Sequence, residues 1–75
     1  MEKLAIPIRT DTITMDKLLK FSGVVDTGGQ AFKLIEEGQV YLNSDRVREK
    51  RRQVRPGDTV SIANQIVLEV VREGL

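Results

Sequence analysis

The chain has 75 residues, enough for one domain but too few to build a core around a large active site. It contains no Cys and no His, so disulfides and thiolate metal sites are excluded and the commonest general base is missing. Hydrophobic residues make up 40% of the sequence and charged residues 31%, with a formal net charge of +1, as in an ordinary soluble globular protein.

The first predicted element is a strand over residues 3–8, where an apolar residue recurs at every second position. Pro7 cannot donate a ladder hydrogen bond, so we expect this strand to lie at the edge of a sheet or to end irregularly. The first apolar run is interrupted and is preceded by Glu2, unlike a signal peptide, and no apolar run reaches the roughly 20 residues of a membrane span. The sequence therefore predicts a cytoplasmic protein with no membrane partner.

A short helix is predicted next, over residues 14–23. Thr14 is placed to cap its first N–H groups, and Asp16 lies in the first turn, where a negative charge is favoured. Gly23 can adopt the left-handed conformation that ends many helices. The predicted inner face consists of Met15, Leu18, Leu19 and Ser22.

A second helix is predicted over residues 26–38, with Asp26 or Thr27 as its cap and Gly38 as its stop signal. Its side chains repeat with helical spacing, which indicates one buried face. The predicted buried stripe consists of Ala31, Leu34 and Ile35, with Phe32 beside it.

Two adjacent glycines, Gly28 and Gly29, fall in the first turn of this helix, although each costs roughly 1 kcal/mol relative to Ala. One interpretation is that they allow this turn to pack closely on the first helix or the sheet. The other is that they let a ligand approach the backbone at a helix start, which favours anions. The motif matches neither a dinucleotide-binding fingerprint nor a P-loop, so taken alone it favours the packing interpretation.

The rest of the chain is predicted to form strands joined by turns. These are a hairpin over residues 39–47 that turns at Asn43, Ser44 and Asp45, a turn over 55–58, a strand over 59–63, a turn at Asn64 and Gln65, and a strand over 66–71. The order of strand, two helices and several strands predicts an α+β fold with a small, mostly antiparallel sheet. The last strand is a candidate for an exposed edge that pairs with a second copy, so we expect a monomer or a weak homodimer.

Positive charge is concentrated in residues 46–55, which hold six basic residues and one acid. This window carries +5 in a chain of net charge +1, which leaves −4 for the rest. If the segment is extended, alternate basic residues from Arg46 to Arg52 share one face about 6.6 Å apart, close to the spacing of successive phosphates. Arginine binds phosphate oxygens in pairs, so the window is a candidate phosphate-binding surface. The alternative is a solvated, mobile loop.

Three lysines, Lys17, Lys20 and Lys33, lie on the predicted helices and gain a functional meaning only if both helices face the basic window. No pair of carboxylates suggests an acid–base couple, and the serines have no His to activate them. We therefore expect a protein without catalytic activity, metal or cofactor.

Taken together, residues 14–62 resemble the S4 RNA-binding domain family, with the motifs in family order. DKLLKFSG resembles the first helix of its two-helix αL motif, AFKLIEEGQVYLN the second helix and first strand, and VRPGDTVSI the closing turn and strand. The resemblance implies one S4-like domain over residues 1–75, in which strands 3–8 and 66–71 complete the sheet. TGGQA followed by a basic segment is similar to the small, free-standing bacterial YaaA-like branch, which lacks a catalytic domain and includes members encoded near replication and recombination genes.

Two positions depart from the family pattern. Thr27-Gly28 stands where Ser-Arg is frequent, which removes one usual RNA-contacting arginine, and Ser44 stands where the hairpin often has Gly. Carried over by position, the resemblance nominates as RNA-contacting residues Lys17, Lys20, Thr27, Gly28, Gly29, Gln30, Lys33, Asn43, Arg46 and Arg48. Charge alone adds Lys50, Arg51 and Arg52.

The resemblance implies a non-catalytic module that contacts the phosphates of structured RNA, such as ribosomal RNA, with the ribosome as a candidate partner. Because aromatic residues are few, stacking on single-stranded bases is expected to be minor, so recognition should depend on shape and charge. Three alternatives stay open. One is a DNA-binding accessory protein linked to replication or recombination, and another is a protein-interaction module whose basic strip docks an acidic partner. The third is an enzyme subunit that supplies substrate binding to a catalytic partner.

Overall fold

The computed structural model of the protein describes residues 2–74, which form two helices and seven strands. In chain order these are β1 (Glu2–Ile8), β2 (Ile13–Thr14), α1 (Met15–Phe21), α2 (Gly28–Glu36), β3 (Val40–Leu42), β4 (Asp45–Arg46), β5 (Gln53–Val54), β6 (Thr59–Ile62) and β7 (Ile66–Arg72). The predicted α+β order is confirmed, with two additional short strands, β2 and β5. Neither helix of this described part is long and apolar enough to cross a membrane.

The main sheet has the strand order β1-β7-β6-β3-β4, and a separate two-stranded sheet pairs β2 with β5. Neighbouring strands run antiparallel except β1 and β7, which pair in parallel along the whole of β1. A parallel pair needs a long connection, and here nearly the entire chain separates the two strands. Pro7 lies on the edge strand β1, as predicted.

The last strand, β7, lies inside the sheet between β1 and β6 rather than at its edge. Ile6 of β1 stands opposite Val70, and Val60 of β6 stands opposite Leu68, so the backbone of β7 is paired on both sides. The prediction that this strand is an exposed edge for a second copy is therefore wrong. The N-terminal strand occupies the position that a second copy would have needed.

Buried side chains of both helices and of alternate strand positions form one hydrophobic cluster. It includes Met15, Leu18 and Leu19 from α1, Ala31 and Ile35 from α2, and Val40, Leu42, Val60, Ile62, Leu68 and Val70 from the sheet. Burying an aliphatic side chain of this size contributes about 1.5–3 kcal/mol, so the cluster holds the helices on one face of the sheet.

The two predicted apolar stripes differ in how completely they are buried. On α1, the three apolar positions are buried as predicted. On α2, Leu34 is only half-buried, and Phe32, expected beside the stripe, is 46% exposed. Each helical residue is rotated by about 100° from its neighbour, which turns Phe32 away from buried Ala31 and towards solvent.

Left-handed backbone positions end the helices and form the turns. Gly23 and Gly38 have φ values of 84° and 74° and end the two helices, as predicted. In the β3–β4 turn, Asn43 and Ser44 both have positive φ, 49° and 79°, as a two-residue hairpin turn of this type requires. The strand β6 ends one residue earlier than predicted, because Ala63 enters the next turn in the same region, with φ 53°.

Candidate nucleic-acid interface

The basic loop, defined as residues 46–52, leaves the main sheet after β4 and reaches the start of α1. Val47 anchors its beginning, because its side chain is buried and its N–H donates to the Val40 carbonyl at 2.9 Å. A turn follows, closed by a hydrogen bond from the Arg52 N–H to the Glu49 carbonyl at 3.1 Å. The extended conformation, with alternate basic residues on one face, is therefore not adopted.

Two backbone hydrogen bonds hold the basic loop against the first turn of α1. Met15 donates its N–H to the Arg52 carbonyl at 2.8 Å, and Asp16 donates its N–H to the Lys50 carbonyl at 2.9 Å. A helix leaves its first N–H groups without partners in the helix itself, so these carbonyls complete the start of α1. Thr14 occupies the cap position, but within the described chain its side chain makes no capping hydrogen bond, so the predicted side-chain cap is wrong.

Asp16 adds an electrostatic link between α1 and the basic loop. Partial burial acts to raise the pKa of its carboxyl group. The nearby Thr14 hydroxyl, the Lys17 N–H and the charge of Arg51 together outweigh burial and lower the pKa of Asp16 below its usual value. The Lys17 N–H donates to the carboxylate at 2.9 Å. The first turn of α1 therefore presents an ionised carboxylate to the basic loop at neutral pH.

The basic loop also contacts α2. The Lys50 Nζ lies 6.0 Å from the centroid of the Phe32 ring, at the outer limit of a cation–π contact. Lys50 therefore joins the two helices, since its carbonyl binds α1 and its ammonium lies over α2. The side chains of Lys17, Lys20 and Lys33 are exposed on these helices. Both helices therefore contact the basic window, α1 through its backbone and α2 through Phe32, while the functional role of the three lysines stays a prediction.

The start of α2 is capped by side chains of its own sequence. The Thr27 hydroxyl oxygen accepts from the Gln30 N–H at 3.2 Å. In return, the Gln30 side-chain oxygen accepts from the N–H groups of Asp26 and Thr27, at 2.7 and 3.3 Å. This reciprocal arrangement satisfies N–H groups at the helix start and identifies Thr27 as the cap. Two nominated residues, Thr27 and Gln30, therefore also have a role in the fold.

Packing does not require glycine at either position of the α2 start. Within residues 2–74, a Cβ on Gly28 would meet no atom within 4 Å, and a Cβ on Gly29 would meet Thr27 Oγ1 at 3.8 Å, an ordinary contact. The packing interpretation of these glycines is therefore wrong. The second interpretation, in which the glycines let a ligand approach the helix backbone, stays a prediction.

Arg46 and its neighbours form a small basic cleft. The Arg46 Nη2 donates to the Glu36 carbonyl at 3.2 Å, and its guanidinium lies 3.0–3.1 Å from where a Cβ on Gly38 would stand. This contact orients Arg46 along the end of α2. The cleft, with a volume of about 220 Å³, is lined by Arg46, Arg48, Glu49 and Arg52. Three guanidinium groups and one carboxylate give it a net positive charge that suits an anion.

Asn43 is occupied in joining two turns. Its Nδ2 donates to the Asp58 carboxylate at 3.0 Å, and its Oδ1 accepts from the Thr59 N–H at 2.9 Å. Its own N–H donates to the Thr59 carbonyl at 2.8 Å. The side chain therefore positions the hairpin from which the basic loop leaves.

Two residues of this surface, Phe32 and Asp16, are absent from the nominated set. Phe32 carries a sequence signal, because it is a large apolar residue one position off the buried stripe and next to Lys33. Asp16 has no such signal, since its contact with the basic loop joins segments distant in sequence. Among the described residues, no group of three or more His, Cys, Asp and Glu is placed to hold a metal ion.

Comparison with known proteins gives consistent matches. The S4 domain family matches residues 6–71. The probable ribosome maturation protein RlbA of Bacillus subtilis (strain 168) is 33% identical over 57 residues, which covers 76% of this chain and 80% of that protein. Among solved structures, a pseudouridylate synthase superposes with a TM-score of 0.63 at 24% identity, over 68% of this chain and 22% of that chain. The 30S ribosomal protein S4e from Thermoplasma acidophilum superposes with a TM-score of 0.55 at 25% identity, over 73% of this chain and 29% of that chain.

The family match runs from β1 into β7, so it includes both helices and the basic loop. The chain spans most of the Bacillus protein but less than a third of either solved structure. The fold, the arrangement of the two helices with the loop, and these matches agree: the chain belongs to the S4 domain family.

Proposed function

We propose that this protein binds structured RNA, including ribosomal RNA, as a non-catalytic module. The observation that carries the proposal is the attachment of the basic loop to both helices, through the Lys50 and Arg52 carbonyls and the contact of Lys50 with Phe32. Such a loop holds its charges in place before RNA arrives, which reduces the ordering cost of binding. Family membership supports the proposal, because S4 domains are RNA-binding modules.

The proposed recognition depends on charge. Arg48, Arg51 and Arg52 are exposed and would bind phosphate oxygens, while the helical lysines extend the surface. Gly28 and Gly29 would let the RNA backbone approach the start of α2. The full set of proposed contact residues is Lys17, Lys20, Thr27, Gly28, Gly29, Gln30, Lys33, Asn43, Arg46, Arg48, Lys50, Arg51 and Arg52. Within it, Thr27, Gln30, Asn43 and Arg46 also hold the surface in shape.

The names of two similar proteins support ribosomal RNA as the class of RNA that is bound. One relative is named a probable ribosome maturation protein, and one solved structure is a protein of the 30S ribosomal subunit. The likeness to the pseudouridylate synthase spans 22% of that chain and shows the fold alone, so it transfers no activity. The proposed unit is the whole chain, residues 1–75, acting in the cytoplasm.

The test is a titration of the purified protein against a structured ribosomal RNA fragment across a salt series. The test variant replaces Arg48, Arg51 and Arg52 by Ala, which leaves the backbone carbonyls that bind α1 in place. The matched control replaces Lys3, Arg9 and Arg72 by Ala and so removes the same charge elsewhere. Arg9 and Arg72 form exposed ion pairs, which contribute little to stability.

We expect the test variant to bind more weakly and with a smaller dependence on salt. The slope of log affinity against log salt should fall by roughly 2–3, because each neutralised phosphate of a duplex contributes about 0.9. The control variant should keep the wild-type slope.

Three outcomes would overturn the proposal. If the wild type fails to bind at low salt, or both variants show equal slopes, an acidic protein partner replaces RNA. If DNA wins a competition between matched RNA and DNA duplexes, the protein is a DNA-binding module, because the two ligands carry the same phosphates and differ in the 2′-hydroxyl and the helical form it imposes.

A further inference from the structure

Phe32 is a large apolar side chain placed on an otherwise charged surface. It is 46% exposed, whereas Ala31 and Ile35 of the same helix are buried in the core. Its neighbour Lys33 is exposed, and the Lys50 ammonium lies over its ring. The core therefore accounts for only part of the contacts of this ring, and the exposed part lies within the proposed RNA-binding surface.

The surroundings of the ring leave room for a flat ligand. Helical side chains lean towards the N-terminus of their helix, and residues three and four positions apart are neighbours. The neighbours of Phe32 on the preceding turn are therefore Gly28 and Gly29, which have no side chains to cover a ligand on the ring. Within residues 2–74, the space around a Cβ on Gly28 is open to 4 Å.

Lys50 places a cation at the same spot from a fixed backbone. Its carbonyl accepts the Asp16 N–H at 2.9 Å, so its Cα cannot drift away from the helices. The 6.0 Å distance from Nζ to the ring centroid is at the limit of attraction, so the ammonium can turn from the ring to a nearby phosphate at little cost.

We infer that Phe32 is a stacking platform for one unpaired base of the bound RNA, with Lys50 neutralising an adjacent phosphate. The inference rests on the proposed function and adds a specificity to it: RNA with a bulged or looped-out base binds more tightly than a fully paired duplex. Every base has a π-face, so this preference concerns pairing state rather than base identity. It departs from the expectation, drawn from the low aromatic content, that stacking is minor.

Phe21 provides a matched comparison. It is more exposed than Phe32, at 63%, but it is the last residue of α1, at the end opposite to the turn that binds the basic loop, and it lines a mostly apolar cleft with Pro7, Ile8 and Ile13. Replacing either phenylalanine by leucine removes one ring and keeps an apolar side chain. A general effect of losing a surface phenylalanine would therefore appear in both variants.

The experiment compares two RNA hairpins of equal length whose strands are joined by a polyethylene glycol linker in place of loop nucleotides, one with a single bulged 2-aminopurine and one fully paired. The wild type, Phe32→Leu, Phe32→Trp and Phe21→Leu proteins are titrated with each RNA at fixed salt. We expect Phe32→Leu to weaken binding of the bulged hairpin roughly tenfold, since a stacked base is worth 1–3 kcal/mol, and to leave the paired hairpin unchanged.

Fluorescence gives a second, independent readout. The natural chain has no Trp, so Phe32→Trp introduces a single reporter at the proposed platform. This variant should keep the preference for the bulged hairpin, and its emission should be quenched only by that RNA. In the wild type and in Phe21→Leu, the 2-aminopurine emission should change on binding, and in Phe32→Leu it should not.

The outcomes separate this inference from the proposed function. If the wild type binds both hairpins equally and Phe32→Leu changes neither, RNA binding stands and the stacking role is overturned. If Phe32→Leu weakens both hairpins equally, Phe32 supports the surface without stacking, and the inference again fails. If the wild type binds neither hairpin at low salt, the proposed function itself is overturned together with the inference.

Discussion

The two helices of this protein begin in different ways. The start of α2 is completed by its own side chains, with Thr27 and Gln30 capping each other's backbone N–H groups. The start of α1 is completed by the Lys50 and Arg52 carbonyls, which come from the basic loop far along the chain. One helix start is therefore a local structure, and the other is a tertiary one.

The difference explains how the proposed RNA-binding surface is organised. Because the basic loop completes α1, the loop and the helix start form one unit, and a change that loosens one loosens the other. The start of α2 needs no such partner, so its glycines stay accessible. The backbone of the basic loop is thus fixed at the start of α1, while α2 begins without a partner segment.

The largest expected effect on stability comes from Val54→Ala, which weakens the attachment of the basic loop to the start of α1. Val54 is fully buried in β5, whose pairing with β2 leads directly into the bonds to Met15 and Asp16. Loss of two methyl groups should destabilise the protein by about 2 kcal/mol. Native-state hydrogen exchange should show that, relative to the wild type, the variant accelerates exchange of the Met15 and Asp16 amides more than exchange of the Gln30 amide.

Val60→Ala is the matched control, because Val60 is equally buried but lies in β6 of the main sheet. It should cost a similar free energy of unfolding without a selective effect on the α1 amides. Equal acceleration of these amides in both variants would show that the α1 start does not depend on the β2–β5 pair.

The next effect tests the local start through Thr27→Ala. Loss of this cap should lower the free energy of unfolding by about 1 kcal/mol, because the Gln30 N–H loses its acceptor. Thr14→Ala, at the corresponding position of α1, should cost less than half as much, since carbonyls of the basic loop complete that helix. Chemical denaturation of the two variants measures the difference, and equal losses would contradict it.

A smaller effect of opposite sign is expected for Gly28→Ala. The position has room for a Cβ, and replacing Gly by Ala at a compatible backbone stabilises proteins by about 0.4–1 kcal/mol. The same methyl group stands where the RNA backbone is proposed to approach, so RNA affinity should fall while the melting temperature rises. A variant that gains stability and keeps full affinity would remove Gly28 from the proposed contacts.

The smallest effect concerns pH and Asp16→Asn. The pKa of Asp16 is lowered in the folded protein, so its charge stabilises the fold above the pKa of the unfolded chain, about 3.9, and this contribution is lost as pH falls through the lower folded pKa. Solvent screening should keep the contribution below about 0.5 kcal/mol. The melting temperature of the wild type should exceed that of the variant at neutral pH, and the two should be equal at about pH 2. A difference that persists in acid would point to the hydrogen bonds rather than the charge.

Several features could be read from the sequence because their causes are local. The helical spacing of Met15, Leu18 and Leu19 predicted a buried face, and all three are buried. The stops at Gly23 and Gly38 were predictable because glycine adopts positive φ without a Cβ penalty. The motifs from α1 to β6 also indicated the family, which the match over residues 6–71 confirms.

Other features lay outside the reach of sequence patterns. The basic window was recognisable by charge, but its folded path depends on the burial of Val47 and on hydrogen bonds to α1. The prediction that the last strand lies at the edge was wrong because β1, from the other end of the chain, pairs with it. Alternation of residues within a strand says which face is buried but not which strand lies beside it.

The sequence by itself therefore determined the two helices and the strands of the main sheet, the family and the residues that carry the positive charge, because periodicity, glycine stops and charge belong to short segments. Only the tertiary structure decided that the basic loop completes α1, that Lys50 lies over Phe32 and that β7 is interior. The physical reason is that each of these depends on hydrogen bonds or contacts between residues far apart in the chain, which no local pattern encodes.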